Sequence, residues 1–133
     1  MALSKDQREQ LVRRACEVRS NAYAPHSKFQ VGASLLTEDG TFFDGVNVEN
    51  DSFGLTNCAE RTAIFSAITA GHQKFVAVAV ATEGGFGPCG ACRQVLAQFG
   101  TDMVVLQVDS SKPDEIKETT VGKLLPGNFE FPS

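Results

Sequence analysis

The sequence lacks the features of membrane, secreted and nucleic-acid-binding proteins. It has no run of about 18 consecutive apolar residues, the length needed to span a bilayer, and its first ten residues are too polar for the apolar centre of a signal peptide. Low-complexity segments are also missing. Lysine and arginine are scattered and the formal net charge is -4, so no dense positive surface is available to neutralise a phosphate backbone. We therefore expect a cytoplasmic protein that binds neither a membrane nor a nucleic-acid polymer.

The composition is that of an ordinary globular domain. The chain has 133 residues, of which 42% are hydrophobic and 21% charged. A chain of this length is about the size of one domain and buries roughly two thirds of the surface that its unfolded form exposes. We expect residues 1–133 to form a single domain around one core.

The apolar pattern predicts helices that alternate with strands. Asp39-Gly40 supplies the backbone freedom of a tight turn, so the first two strands should form an antiparallel hairpin. The tail after Lys112 predicts a short strand and a helical turn around 121–125. The other predicted helices cover 5–23, 58–70 and 89–99, and the other predicted strands cover 31–37, 41–49, 75–82 and 103–108. This order predicts an α/β fold, a three-layer α/β/α sandwich around a mixed, mostly parallel sheet of about five strands.

Three of the four cysteines lie at predicted helix starts. Cys58 begins one helix, and Cys89 and Cys92 lie in Pro-Cys-Gly-Ala-Cys at the start of the next. The free N–H groups and the positive dipole of a helix start favour thiolate over thiol, and thiolate is the form that binds zinc. Helix starts also follow the carboxyl ends of strands, where α/β sheets usually form their sites. The pattern favours a metal site made of these three residues.

Two other interpretations of the cysteines remain at this point. A Cys-x-x-Cys pair also occurs in thiol–disulfide exchange, and a zinc site closed by a fourth protein ligand would be structural. His26 or His72 would have to supply that ligand, although neither has metal-type spacing to a cysteine. The third cysteine, with Cys58-Ala-Glu60 and Pro88, favours the zinc-deaminase pattern H-x-E…P-C-x-x-C in its three-cysteine form. Cys16 has no partner in the sequence and is interpreted as a small buried hydrophobe.

Glu60 also has two interpretations. Asn57 followed three residues later by Glu60 resembles a capping box, in which the glutamate only bonds back to the helix start. In the other interpretation, Glu60 stands two residues after Cys58 and lies near a water on the metal, where one carboxylate can carry protons. Three thiolates leave such a site negative. Arg61, next to Glu60, or Arg93, next to Cys92, could offset that charge by donating to a sulfur, or could be an exposed helix arginine.

Five motifs, spread along nearly the whole chain, resemble those of the small homotetrameric zinc-dependent cytidine deaminases of the cytidine and deoxycytidylate deaminase superfamily. The motifs are Tyr23-Ala-Pro-His-Ser-Lys-Phe-Gln-Val-Gly-Ala33, Gly45-Val-Asn-Val-Glu-Asn50, Asn57-Cys-Ala-Glu-Arg61, Pro88-Cys-Gly-Ala-Cys-Arg-Gln94 and Leu124-Leu-Pro-Gly-Asn-Phe129. The resemblance implies one zinc ion per subunit and hydrolytic deamination of cytidine and deoxycytidine. Glu60 would move the protons, and ammonia would leave.

The resemblance also implies substrate-binding residues. Asn47 and Glu49 match residues that bond the ribose hydroxyls, and strand alternation places both on the same side. Phe29 matches an aromatic residue beside the pyrimidine, and the backbone of Ala59 matches a group that reads the pyrimidine edge. Phe129 matches a residue that packs on the base from another subunit.

Members of this family with similar length form homotetramers that share active sites between subunits. The stretch Asn50 to Phe53 matches a segment that is borrowed in this way. Asp51 stands where a small residue is common and Phe53 where tyrosine is common, so the resemblance does not define the contacts to the 5′ end of the nucleoside. A cytosine-containing antibiotic such as blasticidin S is a rival substrate, and Glu49 favours a nucleoside over it.

Overall fold

Five strands form one sheet, and helices cover both of its faces. The computed structural model describes residues 3–132. The strands are β1 Gly32–Thr37, β2 Phe42–Val46, β3 Phe75–Thr82, β4 Val104–Asp109 and β5 Lys112–Thr120. The α-helices are α1 Lys5–Val18, α2 Ala59–Thr69, α3 Gly90–Ala97 and α4 Val121–Leu124. The prediction of an α/β fold with about five strands is confirmed.

The strand order is β2-β1-β3-β4-β5, and of these four pairings only β3 with β4 is parallel. The sheet is mixed, but the prediction that it is mostly parallel is wrong. The connections from β1 to β2 and from β4 to β5 are only a few residues long, and such short connections give antiparallel neighbours. The sequence predicts only a short strand where β5 has 9 residues, because this edge strand is largely polar and gives a weak apolar signal.

Alternation along β3 separates the core into two layers. Val78 and Val80 face α2 and α3, and each buried valine of this kind contributes about 1.5–3 kcal/mol. The alternate alanines face α1 and allow it to approach the sheet closely. A Cβ atom at Gly32 would lie 2.1 Å from the carbonyl oxygen of Ala15. Any side chain at position 32 would therefore prevent α1 from packing this closely on β1. This arrangement confirms the three-layer sandwich.

Two predicted elements are shorter in the structure by four or more residues. The first helix ends at Val18 and tightens into a 3-10 turn over Arg19–Asn21, where the Ser20 hydroxyl donates to the Glu17 carbonyl at 3.3 Å. The strand predicted to reach residue 49 ends at Val46. Its end is explained by the side chain of Asn47, which accepts the backbone N–H of Val31 at 2.9 Å in place of a backbone carbonyl. No helix within residues 3–132 is long and apolar enough to cross a membrane.

Candidate metal centre and active site

The thiols of Cys58, Cys89 and Cys92 meet where α2 and α3 begin. Their sulfur atoms all lie within 4.8 Å of one another. The Sγ–Sγ distances are 3.8 Å from Cys58 to Cys89 and 3.2 Å from Cys89 to Cys92. Cys58 and Cys89 are the N-cap residues of their helices, and Cys92 lies in the first turn of α3. The predicted placement of all three at helix starts is confirmed.

Three clustered thiols are a suitable ligand set for zinc. A zinc–sulfur bond is about 2.3 Å, so thiolates at the corners of a tetrahedron around zinc are about 3.8 Å apart. This is the separation between Cys58 and Cys89, whereas Cys89 and Cys92, at 3.2 Å, would have to move apart slightly to hold the ion. Hydrogen-bond donors also surround the sulfurs, because the backbone N–H of Cys92 donates to Cys89 Sγ at 3.4 Å. Three soft ligands with a fourth position left open is the arrangement of a catalytic zinc site.

The two histidines lie away from the cluster. His26 Nε2 is 3.1 Å from Asp51 Oδ1, and His72 Nδ1 is 3.6 Å from Asp39 Oδ2. Within the described part of the chain, the cluster of potential metal ligands consists of the three cysteines alone. A site closed by a histidine is therefore not formed. Cys16 is half-buried and packs against the core beneath α1, as a small hydrophobe would.

The thiols differ in their affinity for protons. A hydrogen bond from the Cys92 thiol, together with one from the Arg61 guanidinium, lowers the pKa of Cys58 to about 5. The pKa of Cys92 is raised, because this thiol donates to Cys58 and is buried. These contacts favour the thiolate form of Cys58.

Arg61, rather than Arg93, contacts a sulfur of the cluster. Arg61 Nη2 donates to Cys58 Sγ at 3.2 Å. Arg93 instead donates from Nε to the Pro88 carbonyl at 2.8 Å and from Nη1 to the Leu124 carbonyl at 2.9 Å. Arg93 thus ties the loop before α3 to the C-terminal segment. These contacts decide which of the two arginines donates to a sulfur: it is Arg61.

Glu60 is the second residue of α2 and is only 4% exposed. The N-cap of α2 is Cys58, and it makes no side-chain capping bond. Asn57 donates instead from Nδ2 to Thr62 Oγ1 at 3.1 Å, so the capping box is not formed. Burial raises the pKa of Glu60, which favours the protonated carboxyl and suits a group that takes up and releases protons.

A cavity of about 280 Å³ opens beside the cysteines. Its volume is close to the lower end of the range for small-molecule sites. Its lining includes Cys58, Glu60 and Cys89. The structure brings to the same cavity four residues that the resemblance assigns to the substrate, namely Phe29, Asn47, Glu49 and Ala59.

Gly45 brings α2 to this cavity. A Cβ atom at Gly45 would lie 2.4 Å from the carbonyl oxygen of Ala59 and 2.5 Å from the backbone nitrogen of Ala63. The start of α2 can therefore rest on β2 only because this residue has no side chain. The contact places Ala59 and Glu60 beside the end of β2, where Asn47 follows.

The side chains of Asn47 and Glu49 are held by the segment before β1. Asn47 is buried, and its Nδ2 donates to the Phe29 carbonyl at 2.8 Å. Glu49 accepts the backbone N–H groups of His26 at 2.9 Å and of Ser27 at 3.1 Å, as well as the Ser27 hydroxyl. The hydroxyl bond is the main cause of the lowered pKa of Glu49, so this group is an ionised acceptor at neutral pH.

Asp51, Phe53 and Phe129 do not line the cavity. The Asp51 carboxylate contacts His26, and the ring of Phe53 lies 5.1 Å from the His26 ring. Phe53 is 72% and Phe129 is 65% exposed. The roles implied for these residues involve another subunit, so their position in one chain leaves those roles as predictions.

Ser27, Thr56 and Phe86 also line the cavity, although the sequence pattern did not indicate them. Phe86 stands in the loop between β3 and Pro88, and its ring centroid is 6.3 Å from that of Phe29. A loop that follows the carboxyl end of a buried strand is a usual place for site residues. That position is the signal by which Phe86 could have been found.

Comparison with known proteins agrees with this geometry. The family described as the cytidine and deoxycytidylate deaminase zinc-binding region matches residues 5–108. The chain is 51% identical over 123 residues to a cytidine deaminase from Sporosarcina psychrophila, covering 91% of this chain and 90% of that protein. It is 47% identical to the cytidine deaminase crystal structure from Burkholderia pseudomallei, with a TM-score of 0.86 over 91% of this chain and 98% of the other. The chain belongs to the cytidine and deoxycytidylate deaminase family.

Proposed function

We propose that this protein is a zinc-dependent cytidine deaminase that hydrolyses cytidine and deoxycytidine to uridine and deoxyuridine, with release of ammonia, in pyrimidine salvage. The observation that carries the proposal is the buried carboxyl of Glu60, which lies two residues from Cys58 and lines the cavity beside the three sulfurs. Relatives with about half of their residues identical to this chain are named cytidine deaminases. Family membership, the cluster and the carboxyl support the same reaction.

Zinc held by Cys58, Cys89 and Cys92 would supply a Lewis acid that activates water for attack on the pyrimidine ring. Glu60 would take both protons of the water in turn, passing the first to the ring nitrogen N3 and, once the oxygen has bonded to C4, the second to the departing amine, which leaves as ammonia. Its raised pKa suits this task, because the carboxyl must exist in both protonation states during one turnover. Arg61 offsets the negative charge of the thiolates through its bond to Cys58.

The remaining cavity residues orient the nucleoside. We assign the ribose hydroxyls to Asn47 and Glu49, since an amide can donate and an ionised carboxylate can accept. The ring of Phe29 and the backbone of Ala59 are assigned to the pyrimidine. These four assignments rest on the family resemblance and are supported by the shared cavity.

Three other functions are less well supported. A cytosine-containing antibiotic would not need the acceptor that Glu49 provides for a sugar hydroxyl. A polynucleotide does not suit a net charge of -4. A thiol-exchange or purely structural zinc module would have no use for a buried carboxyl beside the metal ligands, yet Glu60 occupies that position.

We further propose that the chain is one domain and acts as a cytoplasmic homotetramer. Several large apolar side chains are exposed on the single chain, including Phe53, Leu55 and Phe129, and contact between copies would cover such groups. Asp51, Phe53 and Phe129 would then reach a neighbouring subunit's site. Sedimentation equilibrium should give four times the mass of the 14.2 kDa chain. A fully active monomer would contradict the shared-site proposal.

The decisive experiment for the reaction measures zinc content and then follows absorbance on addition of cytidine, deoxycytidine, cytosine and blasticidin S. We expect one zinc per chain, rapid conversion of both nucleosides, and loss of turnover on chelation that added zinc restores. A metal-free protein that is inert toward all four compounds would refute the function. Faster conversion of blasticidin S than of either nucleoside would show that the antibiotic, and not a nucleoside, is the substrate.

A further inference from the structure

A strained turn forms one wall of the cavity. The backbone N–H of Lys28 donates to the Ala24 carbonyl at 3.1 Å, which closes the turn. Lys28 has a φ of 60°, and within residues 3–132 it is the only residue other than glycine with a positive φ. A side chain disfavours this left-handed conformation, so the surrounding contacts must hold the turn in place.

The hydroxyl of Ser27 lies at the centre of those contacts. It donates to Glu49 Oε2 and accepts the backbone N–H of Phe29 at 3.0 Å. One side chain therefore joins Glu49 to the backbone of Phe29, the residue assigned to the pyrimidine. Ser27 and Glu49 are 22 residues apart in the chain, so this link exists only in the folded protein.

A second hydrogen bond also holds the backbone of Phe29. Its carbonyl accepts Nδ2 of Asn47 at 2.8 Å, and this bond does not involve Ser27. Removal of the Ser27 hydroxyl would thus leave Phe29 with one anchor, whereas Oε2 of Glu49 would lose the protein donor that orients it. The effect should fall mainly on Glu49.

The bonds to Glu49 also limit what it can offer a ligand. A carboxylate has about four lone-pair sites that can accept hydrogen bonds. Protein donors occupy three of them in Glu49: the backbone N–H groups of His26 and Ser27 and the Ser27 hydroxyl. The remaining acceptor site is directed by these bonds. Glu49 lines the cavity together with Ser27 and Phe29, so a sugar hydroxyl beside a bound pyrimidine can use that site.

We propose that Ser27 is a positioning residue that sets the Glu49 carboxylate for a sugar hydroxyl and thereby determines the preference for nucleosides with a hydroxylated sugar. The inference rests on the proposed nucleoside deamination and adds to it the group that tunes sugar recognition. Ser27 touches neither the reacting ring nor the sulfur cluster in this assignment, so it should act on substrate affinity rather than on the chemical step.

The test compares Ser27→Ala with the unmodified enzyme on cytidine and on 2′,3′-dideoxycytidine, which lacks both ribose hydroxyls. Because Glu49 would lose a hydrogen bond that orients its charged carboxylate, the KM for cytidine should rise about tenfold. The kcat and the zinc content should change by less than about twofold, and the KM for dideoxycytidine should stay nearly constant. Ser27→Thr, which keeps the hydroxyl, should restore the KM for cytidine.

Ser66→Ala is the matched control. The Ser66 hydroxyl donates to the Thr62 carbonyl on α2, outside the cavity, so its loss should alter neither substrate. An equal rise in KM for both nucleosides, or no rise for cytidine, would overturn the inference. If the unmodified protein converts neither nucleoside, the proposed function itself fails; if it is active and Ser27→Ala behaves like Ser66→Ala, only the role of Ser27 is wrong.

Discussion

The guanidinium of Arg61 donates to the sulfur of Cys58 at 3.2 Å, and Cys58 is the cysteine whose pKa is lowered to about 5. An arginine placed in this way favours the thiolate form of Cys58, because its positive charge offsets that of the sulfur. Arg93 is adjacent in sequence to the ligand Cys92, closer than Arg61 is to Cys58, but it donates to two backbone carbonyls. The two arginines therefore make a matched pair for mutation.

Arg61→Gln should weaken zinc binding by about 10- to 100-fold, the usual cost of losing a group that supports a metal ligand. Competition with a chelator of known affinity measures the change. Arg93→Gln should keep its zinc and instead lower the free energy of unfolding by about 1–3 kcal/mol, because its bonds tie the C-terminal segment to α3. The reverse pattern would show that the supporting roles are assigned to the wrong residues.

Glu60→Gln should bind zinc normally and lose most of its turnover. Glutamine has nearly the same shape but cannot carry protons, and general acid–base catalysis contributes about 10²–10⁴-fold. Thermal unfolding should not show a loss of stability, because Glu60 makes no capping box. Near-normal activity with a lower melting temperature would show that Glu60 stabilises the fold and does not transfer protons.

Glu49→Gln should reduce stability in a pH-dependent way. The bond from Ser27, followed by the backbone bonds, lowers the pKa of Glu49 below its ordinary 4.5, so folding favours the ionised form. The stabilisation is therefore complete above about pH 4.5 and disappears as the pH falls through the lowered folded value. Melting temperatures of both proteins between about pH 7 and pH 3 check this, and a gap that does not depend on pH would contradict it.

Phe86→Ala should raise the KM for cytidine by about tenfold, because the stacking of an aromatic ring on a base is worth about 1–3 kcal/mol. Phe86 lines the cavity near Phe29. Phe65→Ala is the control, since Phe65 is similarly accessible on α2 but lies outside the cavity. Equal kinetics of Phe86→Ala and the unmodified enzyme would exclude a role for Phe86 in binding.

The features of the fold that the sequence did not predict are those that depend on packing between distant segments. Helices, strands and their order follow from apolar spacing along the chain, and the ends of most elements shift by only a few residues. The antiparallel hairpin of β1 and β2 is confirmed, whereas the prediction of a mostly parallel sheet is wrong because strand direction depends on which strands become neighbours. The end of β2 was missed for a similar reason, since Asn47 meets Val31 through a contact that no local pattern encodes.

The sequence by itself determined the chemistry of the centre: three cysteines at helix starts and a glutamate two residues after the first. These features are local, because the spacing of Cys89 and Cys92 and the start of each helix depend on a few neighbouring residues. Tertiary structure alone decided which arginine meets a sulfur, that Ser27 joins Glu49 to Phe29, and that Phe86 reaches the cavity. Such contacts join distant segments, and they depend on how closely α1 and α2 pack on the sheet.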